Sequence, residues 1–96
     1  MDFYSQLRQR MIDTMQISLR RIRQVIGLGV QEFSDVVGIT RQSLNNLESL
    51  KVKMSAIQFV AVCAVIDHFV ESQPELMSVI ISILNSNDTL YDNCVY

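Results

Sequence analysis

The chain has 96 residues, 49% hydrophobic and 19% charged, which suits one small folded domain with a modest core and excludes a disordered polymer. Its formal charge of −2 is unevenly divided: residues 1–53 carry all eight bases with five acids (+3), and residues 54–96 carry five acids and no base (−5). One half therefore suits a polyanion and the other is repelled by it, so net acidity does not exclude nucleic acid. Chance clustering in a short chain is the plain alternative.

Three glycines and one proline leave long stretches without a breaker, which predicts an all-α fold. From Phe3 to Ile26, Ile12, Met15, Leu19, Ile22 and Ile26 recur at alternating intervals of three and four, with Phe3, Leu7 and Met11 on an adjoining stripe. This predicts one long helix, or two nearly continuous ones, ending at Gly27 or Gly29. A short helix is predicted over Val30–Val37, closed by Gly38, and a third over Arg41–Ser49 with Thr40 as its N-cap. Ser55 and Gln58 form a capping box for a fourth helix reaching about Val70. Ser72, Glu75 and Pro74 start a fifth over roughly 74–84, and the last twelve residues, NSNDTLYDNCVY, read as a loose tail. The expected architecture is a compact bundle of about five helices.

Residues 30–48 carry the most specific pattern. Two short helices meet at a steep angle across a brief turn only with a small residue at the crossing, glycine in the turn and apolar residues facing inward. Ser34, Gly38, and Phe33, Val37, Ile39, Leu44 and Leu47 meet these demands in register, which points to a helix-turn-helix. Gln42, Asn45, Asn46 and Ser49 then share the outer face of the third helix. Taken alone, such a polar stripe reads as a solvated face. In register with the turn and the lysines that follow, it reads as a surface for base edges.

The stretches LRRIRQVIGLG, QEFSDVVGITRQSLNNLE and LKVKMS resemble the Cro and phage-repressor (XRE-like) helix-turn-helix family over roughly residues 19–71. The resemblance implies a five-helix, lambda-repressor-like bundle, usually dimeric, whose third helix lies in the DNA major groove. It assigns base reading to Arg41, Gln42 and Asn46, and backbone contacts to Thr40, Asn45, Lys51 and Lys53. Arg suits guanine O6 and N7, and Gln or Asn suits adenine N6 and N7. It also implies that Arg23 pairs with Glu48, tying the first helix to the third. The chain departs from the family in three places. Gly29 and Val30 replace the usual Thr-Gln, whose glutamine clamps a phosphate; Leu50 replaces a glycine; and Met54 replaces a proline. Residues 1–17 lie outside the resemblance and read as a helical extension, 18–72 as the DNA-binding core, and 73–96 as a C-terminal helix and tail of the same domain.

The implied function is sequence-specific binding of double-stranded DNA by a transcriptional regulator, without an enzymatic step. The alternative is a protein-interaction or oligomerisation module that has lost DNA binding. LMSVIISIL (76–84), apolar at seven of nine positions, predicts dimerisation through the fifth helix, or burial within one chain aided by residues 1–17. The arginines of RRIR (20–23) point in different directions on a helix and read as surface or salt-bridge residues. His68, Asp67 and Cys63 lack ligand or triad spacing, and no Gly-rich phosphate loop, cofactor site or small-molecule site is evident. The apolar run 56–70 is interrupted by Gln58, Asp67 and His68 and is too short to span a bilayer. Arg8, Arg10 and Asp13 interrupt any signal-peptide pattern, and Cys63 and Cys94 lack metal spacing. A reduced, cytoplasmic protein is expected.

Overall fold

The computed structural model describes the backbone of residues 2–93 and side-chain surroundings as far as Ser86. Five helices follow in order: α1 (Phe3–Ile26), α2 (Val30–Val37), α3 (Arg41–Glu48), α4 (Ala56–Ser72) and α5 (Glu75–Asn93). The fold is all-α, as the spacing of apolar residues predicts.

α1 is a single helix of 24 residues. The Asp2 carboxylate accepts the Ser5 N–H at 2.7 Å to start it, which holds that carboxyl below its usual range. Gly27, at φ 93°, ends it in the left-handed conformation. Met15, Leu19 and Ile22 are buried on its inner side, whereas Phe3, Leu7 and Met11 remain exposed.

The core also takes Phe33 from α2, Leu44 and Leu47 from α3, Met54, Val62 and Ile66 around α4, and Leu76, Ile80 and Ile83 from α5. α5 packs mainly along α1, so the richest apolar positions of the fifth helix are used within the chain. Met77, Val79 and Ile81 stay partly exposed.

One expectation is corrected. The predicted loose tail from Asn85 is helical as far as Asn93, and residues 94–96, Cys94 among them, lie outside the described residues. Asn, Ser and Asp are poor helix formers, but a formed helix adds each further residue at little cost. Residues 85–93 hold neither glycine nor proline to stop it. Among the described residues, no helix is long and apolar enough to cross a membrane.

Candidate nucleic-acid interface

α2 and α3 are joined by residues 38–40. Gly38, at φ 88°, donates its N–H to the Ser34 carbonyl at 2.9 Å, and Ile39 donates to the same oxygen at 3.0 Å. A side chain would strain this left-handed backbone, which is why the turn takes glycine here. Ser34 is fully buried, with its hydroxyl donating to the Gln31 carbonyl, so this buried polar atom has a partner. The Thr40 Oγ1 accepts the Ser43 N–H at 3.0 Å and caps α3. Its proton goes to the Ser43 Oγ at 2.9 Å.

With Leu44 and Leu47 locked in the core, α3 turns Arg41, Gln42 and Asn45 to solvent, with Asn46 half-buried beside them. The Gln42 amide donates to the Asn46 Oδ1 at 3.1 Å. This pairing orders both side chains and presents the Gln42 Oε1 as an acceptor and the Asn46 amide as a donor. That is the complement of the N6–H and N7 edge of adenine. The two amides thus form one hydrogen-bonded pair on the outer side of α3.

Both ends of α3 are fixed. At its C-terminus the Lys51 N–H reaches the Asn46 carbonyl (2.9 Å) and the Leu50 N–H reaches the Leu47 carbonyl (3.2 Å), the Schellman arrangement. Leu50 holds the left-handed position at φ 63°, alone among the described non-glycine residues. Glu48 accepts both arms of the Arg23 fork, at 2.6 and 3.1 Å, and Arg20 approaches at 3.3 Å. The Glu48 side chain is only 3% exposed, and Arg23 also donates to the Leu28 carbonyl at 3.1 Å. α1 is thereby tied to α3 and to the turn before α2.

Two features escape the sequence reading. Gln16, buried on α1, donates to the carbonyls of Leu47 (3.1 Å) and Val52 (2.7 Å) and accepts the Met54 N–H at 2.9 Å. One amide therefore pins the loop that carries Lys51 and Lys53, both exposed. The third bond needs an N–H at residue 54, which proline lacks and Met54 supplies. The second feature is at the start of α2. Val30 is half-buried against the core, and the Glu32 carboxylate folds back to accept the Gly29 N–H at 3.3 Å. An acid thus occupies the helix end at which a phosphate would dock.

Burial, with the Asp67 carboxylate nearby, raises the Cys63 thiol pKa above its usual value. Among the described residues no three His, Cys, Asp or Glu side chains cluster as a metal site would require. Comparison with protein-family models, curated proteins and solved structures finds no match.

Proposed function

We propose that the chain is a helix-turn-helix protein of XRE-like type that binds double-stranded DNA in a sequence-specific way and regulates transcription in the cytoplasm. The observation that carries this reading is the outer face of α3, where Arg41 stands beside the ordered Gln42–Asn46 amide pair on a helix fixed at both ends. A rigid helix offering one guanidinium and a matched donor and acceptor suits the major groove. Arg41, Gln42 and Asn46 read bases; Thr40, Asn45, Lys51 and Lys53 hold the backbone. Two copies would place their α3 helices in successive major grooves, about 34 Å apart, on a roughly palindromic site.

The test is selection of bound sites from random duplex DNA, followed by binding of Arg41→Ala and Gln42→Ala to the recovered motif. Each variant should lose discrimination at its own base pair by about 1–3 kcal/mol. Recovery of no motif, or unchanged binding by both variants, overturns the assignment.

A second reading, a protein-interaction module on the same scaffold, draws on Glu32 at the N-terminus of α2 and on the apolar Val30 where the family places a phosphate clamp. Salt separates the two. DNA affinity falls steeply as salt rises, because phosphate contacts release counterions. Docking of a protein through apolar surface has no such slope.

A further inference from the structure

A hollow of about 540 Å³ lies between the first half of α1, the start of α4 and the middle of α5. Small-molecule sites usually measure roughly 300–1,000 Å³. Leu7, Met11, Met15, Phe59 and Leu84 give the hollow apolar walls, and α1 adds Arg10 and Thr14 to them. Among the described residues no acid lines it.

At Thr14 the packing leaves a polar atom unused. The residue is only 9% exposed, and its hydroxyl has no hydrogen-bond partner, alone in this among the buried side chains described. An unpaired buried hydroxyl is costly, and a helical threonine can avoid the cost by bonding a carbonyl one turn back. Ser18, one turn on, does so by donating to the Thr14 carbonyl at 2.7 Å, but Thr14 does not. Threonine on a helix divides between two rotamers, so its hydroxyl can turn to meet a molecule lodged in the hollow.

We infer that the hollow binds a small carboxylic acid with an aliphatic chain. The carboxylate lies between Arg10 and Thr14, which are four residues apart and so neighbours on one face of α1. A guanidinium has five N–H donors, so the interaction that Arg10 keeps within the chain leaves others for an anion. The walls suit the rest of the ligand. Leu7, Met11 and Thr14 recur along two turns of α1, which makes the hollow long, and unbranched methionines adapt to a flexible chain. Covering Leu7 and Met11, 44% and 51% exposed, supplies the apolar part of the affinity.

The test titrates the full chain, with isotope-labelled methyl groups on its five methionines, with decanoate and with decanol as the uncharged counterpart. Decanoate should saturate one site per chain and shift the Met11 and Met15 signals, leaving those of Met54 and Met77 in place. Arg10→Gln should weaken decanoate about tenfold and leave decanol unchanged. Thr14→Val should weaken both about threefold. It should also melt no lower than the wild type, because a methyl group needs no partner, so its loss of binding is not a loss of folding. Equal shifts at all the methionines, uptake that does not saturate, or unchanged decanoate binding by either variant overturns the proposal. So do Met11 and Met15 signals that move with protein concentration alone, which would give the hollow to a second copy of the chain. Base reading by α3 stands or falls separately, since no residue proposed to touch DNA lines the hollow.

Discussion

Leu50 is the residue at which local chemistry and backbone disagree most. Its φ of 63° disfavours a side chain, and 58% of the residue is exposed, so little burial offsets the strain. Leu50→Gly should therefore stabilise the fold by about 0.5–1 kcal/mol, after allowing for the greater freedom of glycine in the unfolded chain. Thermal unfolding would register this as a rise of a few degrees. Gln16 is the opposite case, a side chain worth more than its surroundings suggest. Replacing it with Leu strands the Leu47 and Val52 carbonyls and the Met54 N–H, at an expected cost of about 2–4 kcal/mol in denaturant unfolding. Leu50 stands out in the sequence only as a departure from a glycine. Gln16 gives no signal at all, because its partners lie 31 to 38 residues away and a glutamine on an amphipathic helix has no local mark.

At the scale of elements, helix ends are legible wherever their causes are local. Gly38, Thr40 and the Ser55–Gln58 box each act within four residues and each lies where the pattern places it, and Gly27 ends α1 at one of the two glycines the pattern leaves open. The end of α5 was not legible, since polar composition alone marked a tail and no breaker enforced it. The tie between α1 and α3 was legible only through resemblance, because a lone Arg and Glu 25 residues apart have many possible partners. That tie makes a sharp prediction. Arg23→Ala leaves the buried Glu48 with only the exposed Arg20 and should cost about 3 kcal/mol. Arg23→Met combined with Glu48→Leu should recover most of the loss, since an apolar pair needs no charge partner. Chemical denaturation of the wild type, Arg23→Ala and the double variant checks both statements.

For the whole molecule, the uneven charge becomes a question of orientation. Arg41, Lys51 and Lys53 lie on or just after α3, whereas Asp67 and Glu71 lie at the far end of α4. Replacing Lys51 and Lys53 with Ala should weaken binding to all duplexes alike and flatten the salt slope by about two per copy. Under the proposed DNA-binding function, Glu32 would oppose that attraction from the start of α2. Glu32→Gln should raise DNA affinity about two- to fivefold, and it should lower stability by about 0.3–1 kcal/mol through loss of a favourable helix-end charge. Titration at two salt concentrations, beside thermal melts, separates the two effects. The hydrogen bonds of Gln16 also bear on what can be separated from what. The family-like stretch begins near residue 19, yet the amide that secures its lysine loop sits at residue 16. A fragment starting at residue 18, or a transplant of that stretch onto another scaffold, would inherit each side chain proposed to touch DNA and leave behind the one that holds two of them in place.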